Sequence, residues 1–312
     1  MPVPHQPSPE HLVLELSAAI MAVTHDEPRV LTVGNGAALP SGPLESGHRT
    51  LELGLRAWVE RQTRQTLGYV EQLYTFADRD RVEGGGNERV IALSYLALAR
   101  EAGAIGSADA GWQNWYRYFP WEDWRGGPNA LVVESILPRL SQWVSDAASG
   151  EGRRRRQARV QAIFAADERL WNEELVLQRY ELLYEAGAVP EAGGDARMVA
   201  GDTMTHDHRR ILATGIARLR AKIKYRPVVF ELMPDSFTLS QLQRAVEALA
   251  GRRLHKQNFR RFIEQQLLVE ETGEMVAATG GRPAKLVRFR REVLQERSIT
   301  GTKLPLARTA LV

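Results

Sequence analysis

The chain has 312 residues, of which 44% are hydrophobic and 25% charged, a composition typical of a soluble globular protein with two or three domains. It contains no cysteine, which excludes disulfides, a thiol nucleophile and a cysteine metal cluster and is compatible with a cytoplasmic protein. Residues 207–312 carry 21 Lys and Arg against 10 Asp and Glu, a net charge of +11, whereas residues 1–206 have a net charge of −8. The basic C-terminal part predicts a polyanion, an acidic protein or a membrane surface as its partner.

The first apolar stretch contains Glu15 and has neither a basic leader nor a small-residue cleavage site, so we expect no signal peptide and no transmembrane helix. Alternating apolar residues and turn signals predict four strands, at 12–24, 29–34, 69–76 and 88–99. The first two strands are predicted to form a hairpin around a turn at residues 25–28.

Between the second and third strands, residues 39–67 form a glycine-rich loop that runs into an amphipathic helix. Four apolar residues recur on its inner face, namely Leu51, Leu55, Trp58 and Val59. The outer face carries Glu52, Arg56, Glu60 and Arg61. The loop and helix therefore present alternating charges to solvent or to a ligand.

This segment resembles the Nudix box, a glycine followed at fixed spacing by a glutamate and then by Arg-Glu-apolar-x-Glu-Glu-x-Gly. The matching positions are Gly42, Arg56, Trp58 and Glu60, and the departing positions are His48, Ala57, Arg61 and Thr63. Nudix hydrolysis needs several carboxylates to hold Mg²⁺. The resemblance therefore predicts a protein with the Nudix scaffold that has no metal site and is not an enzyme. On the residues alone, Arg56 and Glu60 could also be an ion pair on an exposed face.

The order strand, strand, helix, strand, strand is that of a Nudix α/β/α sandwich, and the resemblance covers about residues 10–145. Residues 112–124 hold four Trp, two Tyr and one Phe, which could stack on a base or pack as a loop or a subunit contact. A helix is predicted at 130–147, with four residues facing inward, namely Val133, Ile136, Leu137 and Leu140.

A domain boundary is predicted near residue 149, where Ser-Gly-Glu-Gly precedes a run of four arginines, 153–156. Helices are expected at 157–185 and 207–224, separated by a linker at 190–205. Two helices between two domains suit dimerisation or signal transmission.

The last third predicts a winged helix-turn-helix. A capping box at Thr238 begins one helix, which Gly251 ends, and a second helix follows. A hairpin with strands at 267–271 and 285–290 closes the domain around a turn at 280–283.

The exposed side of the second helix and the hairpin turn are predicted to contact DNA, because long polar side chains read base edges and cations hold phosphates. The predicted contact residues are Lys256, Gln257, Asn258, Arg260, Arg261, Arg282 and Lys285. Glu264 on the same face would instead suit a winged helix that contacts a protein.

Residues 224–269 and the turn GGRPAK, after a Nudix-like part, resemble the Nudix-related transcriptional regulators of NAD metabolism (NrtR-like). The degenerate box and the helical insertion are most similar to their alphaproteobacterial, NadQ-type branch. The resemblance implies a Nudix-like sensing domain at 1–148, a helical linker and dimerisation region at 149–225, a winged helix DNA-binding domain at 226–300 and a tail at 301–312. It also implies a cytoplasmic homodimer that binds duplex operator DNA and represses NAD biosynthesis genes. The implied protein has no membrane partner and requires no cofactor.

The implied effector is NAD, ADP-ribose or ATP, bound in the former hydrolase pocket. We expect its diphosphate near Arg56 and Arg61 and its base at an aromatic residue such as Tyr74 or Trp112, with Glu60 as a further ligand-binding residue. Two rival functions remain: a working nucleotide pyrophosphatase with a basic accessory domain, which the retained Glu60 alone supports, and a protein-interaction adaptor.

Overall fold

The computed structural model describes residues 11–78, 88–101, 109–165, 170–193, 199, 201–225, 228–276 and 283–290. The first part of the chain contains β1 (His11–Thr24), β2 (Glu27–Thr32), β3 (Ser41–Pro43), α1 (Leu51–Thr63), β4 (Val70–Phe76), β5 (Glu88–Leu98) and β6 (Gly111–Asn114). The helical middle contains α2 (Leu137–Ser145), α3 (Gly150–Ile163), α4 (Val176–Glu185) and α5 (His208–Tyr225). The last part contains α6 (Leu239–Ala250), α7 (Lys256–Gln265), β7 (Val269–Val276) and β8 (Ala284–Phe289).

The large sheet has the strand order β4-β5-β1-β2-β6, with β3 paired to β1. Strand β1 is central, parallel to β5 and antiparallel to β2. Side chains alternate along it, so that Leu16, Ala18 and Ile20 pack under α1 while Ala19 and Met21 join the second core. Helix α5 covers that second face with buried residues including Ile216. The predicted α/β Nudix-like sandwich joined to a winged helix is confirmed.

The β1–β2 hairpin is tighter than the predicted turn at 25–28. His25 and Asp26 both have positive φ, 51° and 62°, as the central pair of a two-residue turn requires. Pro28 is therefore already in β2, opposite Val23. The strand predicted at 29–34 lies two residues earlier, and a turn of 3-10 helix at Gly34–Gly36 follows it.

The helix predicted at 157–185 is wrong as a single element. Helix α3 ends at Ile163, because Phe164 is extended, and α4 begins only at Val176. Phe164 and Trp171 turn inward and pack edge to face, 6.0 Å between ring centroids. Burial of these two rings outweighs continuation of the helix. The later helix prediction was close, since α5 buries its apolar side, including Ile211, Leu212, Leu219 and Ile223.

The helix predicted at 130–147 starts with a π-helical turn, Val132–Ile136, before α2. The π turn changes the side-chain period, so that Val132 is buried and Val133 is 45% exposed, contrary to the predicted inner face. Strands β3 and β6 were not predicted, because three or four residues are too few to show alternation.

The winged helix agrees with prediction in its helices and differs in its hairpin. Thr238 and Gln241 form a reciprocal capping box at the start of α6, and Gly251 ends the helix at φ 74°. Strand β7 begins two residues later than expected, because Leu267 has a left-handed φ of 49° that is incompatible with a strand. Most of the predicted turn at 280–283 lies outside the described residues.

A membrane-spanning segment would require a long apolar helix, and none of the helices in the described ranges has that length and apolarity.

Candidate functional site

The exposed face of α7 presents the predicted DNA-contact residues together. Phe259 and Ile263 bury the opposite side of the helix, at 1% and 0% exposure, and thereby fix its orientation. Five polar or basic side chains point outward, namely Lys256, Gln257, Asn258, Arg260 and Arg261. Among the described residues, the two arginines make only long contacts, 3.4 Å from Arg260 to Ser240 and 3.4 Å from Arg261 to Asn258. Their charge is therefore available to a partner.

A groove of about 910 Å³ lies between the start of α6, this face of α7 and the hairpin. Lys256 and Arg260 line it from α7, and Lys285 lines it from β8. Lys285 is paired with Glu271 across the hairpin at 2.7 Å. Arg282, the remaining predicted contact, lies outside the described residues. Glu264 also lines the groove, so an acidic side chain is included among the cations.

The box segment keeps the scaffold geometry that its glycine implies. A Cβ on Gly42 would lie 2.2 Å from the ring of Trp58, so no other residue fits there without displacement of the ring. The indole of Trp58 also donates to the carbonyl of Pro43 at 2.8 Å. Helix α1 buries Leu55 and Val59 against the sheet. Two matching box positions thus hold the loop against the helix.

The charged face of α1 is largely occupied by contacts within the protein. Arg56 pairs with Glu52 at 2.8 Å and donates to the carbonyls of Leu67 and Gly68. The alternative pairing of Arg56 with Glu60 is therefore not the one formed. Glu60 itself is exposed.

Arg61 lies over the ring of Trp58, 4.3 Å from its centroid, and 3.5 Å from Glu45. Its side chain is 56% exposed, which makes it the more accessible of the two box-helix cations. Across the described residues, no three His, Asp or Glu side chains are grouped so as to hold a metal ion.

The two predicted base-stacking residues do not lie together. Tyr74 is on β4 and Trp112 on β6, the opposite edges of the five-strand path, about 19 Å apart at the usual strand spacing. Tyr74 is 60% exposed, whereas Trp112 is buried in the cluster beneath α1. The other aromatic residues of 112–124 are buried as well, so this segment is a packed part of the core and not an open wall.

Sequence reasoning missed a buried charge cluster inside that aromatic segment. Glu122 is fully buried and binds Arg179 at 2.5 and 2.9 Å and Arg220 at 2.7 Å. Both arginines are also fully buried. Burial acts to lower the pKa of Arg220, but Tyr116 and Glu122 beside it raise that pKa overall. Glu122, one of two acidic residues in a segment with seven aromatic ones, was the available signal, because a carboxylate buried among aromatic rings needs a basic partner.

The same cluster holds the C-terminal end of α6. Arg220 donates to the carbonyl of Leu249 at 2.8 Å, and the Tyr116 hydroxyl donates to that of Ala248 at 2.7 Å. The backbone amide of Trp124 donates to the carbonyl of Gly251 at 2.7 Å. Carbonyls at the end of a helix otherwise lack partners. The Nudix-like part and α5 therefore supply the C-terminal contacts of a winged-helix element.

Comparisons with known proteins agree with this architecture. A family model described as the NrtR DNA-binding winged helix domain matches residues 229–289. A curated protein named ADPR responsive transcriptional repressor NtrR, from Acinetobacter baylyi, is 41% identical over 86 residues, 28% of this chain and 34% of that protein. The matched stretch thus spans about a third of the relative's length.

Two solved structures extend the likeness over most of the chain. Shewanella oneidensis NrtR, crystallised with a 27mer DNA, has a TM-score of 0.55 at 18% identity and covers 90% of this chain and 95% of its own. A MutT/nudix family protein from Enterococcus faecalis has a TM-score of 0.51 at 16% identity and covers 93% and 90%. The NadQ-type branch stays a prediction. The chain has the fold of NrtR and Nudix-family structures, and its residues 229–289 match the NrtR DNA-binding winged helix domain.

Proposed function

We propose that this chain is a DNA-binding transcriptional repressor of NAD biosynthesis genes that senses an NAD-related adenine nucleotide through its Nudix-like domain. The observation that carries the proposal is the exposed basic face of α7 within a segment that matches the NrtR winged helix domain. The name of the Acinetobacter baylyi relative, an ADPR responsive repressor, supports ADP-ribose as effector, with NAD and ATP as alternatives.

The winged helix supplies the charge that operator binding needs. In the major groove, Arg260 and Arg261 would reach base edges or phosphates, while Lys285 would reach a neighbouring phosphate. Gln257 and Asn258 offer amides that can bind an adenine edge. The salt bridge between Lys285 and Glu271 is exposed and weak, so exchange of Glu271 for a phosphate costs little.

We propose that the Nudix-like domain binds its nucleotide without hydrolysing it. Magnesium requires hard oxygen ligands, and the box offers an alanine at Ala57 and a cation at Arg61 where carboxylates are needed. The donor set therefore does not fit Mg²⁺. Arg61, exposed on α1 and only loosely paired with Glu45, would meet the diphosphate, while Arg56 would hold the loop through Leu67.

Coupling between effector and DNA would run through α5 and the buried cluster around Glu122. Helix α5 packs on the sheet of the sensing domain, and its Arg220 holds the carbonyl of Leu249 in α6. A nucleotide that displaces α5 would therefore shift α6 and the groove next to it. We further propose a cytoplasmic homodimer that uses the helical region 149–225 and divides into the domains expected from sequence.

DNA binding can be tested with a duplex selected from a random library by retention on the wild-type protein. Fluorescence anisotropy of that duplex should show tight binding that falls steeply with salt, because each phosphate contact releases counterions. The double variant Arg260→Ala/Arg261→Ala should lose about 1–3 kcal/mol for each side chain that reads a base.

A matched control removes the same charge elsewhere. Arg154→Ala/Arg155→Ala takes two exposed arginines from α3, which is not part of the winged helix. Its affinity for the duplex should remain close to wild type. Equal losses in the two double variants would indicate attraction by net charge alone, and unchanged affinity in both would remove α7 from the interface.

A further inference from the structure

One cation of the groove beside α7 belongs to α6 and is paired with a carboxylate from the other end of the chain. Arg244 lines this groove together with Lys256 and Arg260 of α7 and Lys285 of β8. Its Nε lies 2.7 Å from Oδ2 of Asp26, at the tip of the β1–β2 hairpin. The pair therefore joins the winged helix to the large sheet, whereas the ion pair of Lys285 lies within the winged helix.

The turn that carries Asp26 is held firmly on the large sheet. Asp26 has a positive φ of 62°, as the second central residue of the two-residue turn. Its backbone carbonyl accepts from Nη1 of Arg125 at 2.9 Å, and the carboxylate of Glu27 accepts from Nη2 of the same arginine at 3.1 Å. Asn114 of β6 also donates to Glu27, at 2.6 Å. The sheet thus places one negative charge against α6.

The contact between Arg244 and Asp26 is suited to exchange. The two side chains are 44% and 51% exposed, so that water screens their attraction and the pair adds little to the stability of the fold. A guanidinium binds phosphate oxygens as it binds carboxylate oxygens. A DNA phosphate that reaches Arg244 in the groove therefore competes with Asp26, because two anions on one guanidinium repel each other.

We propose that Arg244 is a DNA-phosphate contact that the β1–β2 turn holds back, so that Asp26 acts as an internal competitor of the operator. The proposal rests on the proposed DNA-binding function and adds an autoinhibitory contact to it. It differs from the coupling through α5, because the competition acts on a cation of the groove itself. Movement of the turn away from α6 frees Arg244 for DNA, and DNA that binds Arg244 releases the turn.

The test is a double-mutant cycle on the full chain, with fluorescence anisotropy of the selected duplex as the measurement. Its four proteins are wild type, Asp26→Asn, Arg244→Gln and the double variant. Asparagine tolerates a positive φ, so that Asp26→Asn removes the charge and keeps the turn. Glutamine keeps a polar side chain at position 244 without the cation.

Asp26→Asn should bind the duplex about two- to fivefold more tightly than wild type, the range expected when an exposed ion pair no longer has to be broken. Arg244→Gln should bind more weakly, and the slope of its affinity against salt concentration on logarithmic axes should fall by about one, because one phosphate contact is lost. In the Arg244→Gln background, Asp26→Asn should have no further effect.

Asp235→Asn is the matched control. Asp235 lies just before α6 and pairs with Arg100 after β5 at 2.9 Å, so that this exposed pair also joins the winged helix to the large sheet. Among the described residues, the lining of the groove includes neither of them. Asp235→Asn should therefore bind the duplex as wild type does. Melting temperatures report that each variant is folded.

Three results would overturn the proposal. One is an equal gain in affinity from Asp26→Asn with and without Arg244, because long-range repulsion would explain it. Another is the same gain from Asp235→Asn, and the third is an unchanged affinity and salt slope in folded Arg244→Gln. In each case wild type would still bind the duplex, so the proposed DNA-binding function would stand. If no duplex were retained by wild type, that function would fail, and the competition would fail with it.

Discussion

Two pairs of arginines in this chain carry the same charge in opposite surroundings. Arg179 and Arg220 are fully buried and share the carboxylate of Glu122. Arg260 and Arg261 are exposed, and within the part of the chain that the structure describes their contacts are those of 3.4 Å to Ser240 and Asn258. A buried cation that lost its carboxylate would be destabilising, while an exposed one is solvated without help. The two buried arginines stabilise the fold through Glu122, whereas the two exposed arginines are available to a binding partner.

The largest expected effect is on the buried pair. Glu122→Ala should lower the free energy of unfolding by about 3–5 kcal/mol, because it leaves two buried arginines without their shared carboxylate. Urea denaturation followed by circular dichroism measures the change. Arg260→Ala/Arg261→Ala is the matched comparison and should unfold at nearly the wild-type midpoint. Equal stability of Glu122→Ala and wild type would show that water can replace the carboxylate.

The next largest effect concerns His208, because burial disfavours the protonated form of its ring. Its folded pKa of about 4 lies below the unfolded value of about 6.5, so its neutral form stabilises the fold above pH 6.5. As the pH falls from about 6.5 towards 4, this contribution should be lost at about 1.4 kcal/mol for each pH unit.

The test compares the denaturation midpoints of wild type and His208→Asn between pH 7.5 and pH 4.5. Only wild type should show the loss of stability that protonation of His208 causes. Glu15, His206 and Asp207 face His208, are present in both proteins, and so cancel in the difference. Parallel curves for the two proteins would contradict burial of a neutral His208.

A smaller effect is expected on α1, because its Arg56 and Arg61 are neither fully buried nor without a carboxylate partner. Arg61→Ala removes a largely exposed ion pair with Glu45, so its cost in stability should be about 0–1 kcal/mol. The same variant should weaken ADP-ribose binding and leave ligand-free DNA binding unchanged, if the diphosphate meets Arg61. Calorimetry and anisotropy together measure both. Unaltered nucleotide affinity would place the diphosphate elsewhere.

The smallest expected effect is an absence of turnover. With Mg²⁺ or Mn²⁺, ADP-ribose should not be hydrolysed appreciably, because Ala57 and Arg61 leave too few carboxylates for the metal. Product formation followed by chromatography is the measurement. Turnover that disappears in Glu60→Gln would instead establish a working pyrophosphatase. It would contradict the proposal that the Nudix-like domain binds its nucleotide without hydrolysing it.

The sequence was sufficient where the physical signal is local. The capping residues of α6, Thr238 and Gln241, lie three positions apart, and Gly251 at its end has the positive φ that favours glycine. The exposed face of α7 follows from helical spacing alone. These features required no knowledge of the rest of the chain.

Long-range contacts were not predictable in the same way. Glu122 meets Arg179 and Arg220 across 57 and 98 residues, and no spacing rule connects them. His208 meets the amide of Leu39 across 169 residues. Packing of the aromatic segment was one of the predicted alternatives, but the buried role of its Glu122 was not predicted, because burial is a property of the assembled fold.

Helix α6 also has a mechanical consequence. Its C-terminal end is fixed by Tyr116 and Arg220, while its N-terminal residues Thr238 and Ser240 border the DNA-facing groove. Twelve residues make a rod about 18 Å long, so that a tilt of about 5° at the fixed end would move the free end by about 1.5 Å. A shift of that size matches the helix displacements by which other proteins switch states. In the proposed repressor, a tilt of α6 about its contacts with Arg220 and Tyr116 would therefore move the groove beside Thr238 and Ser240.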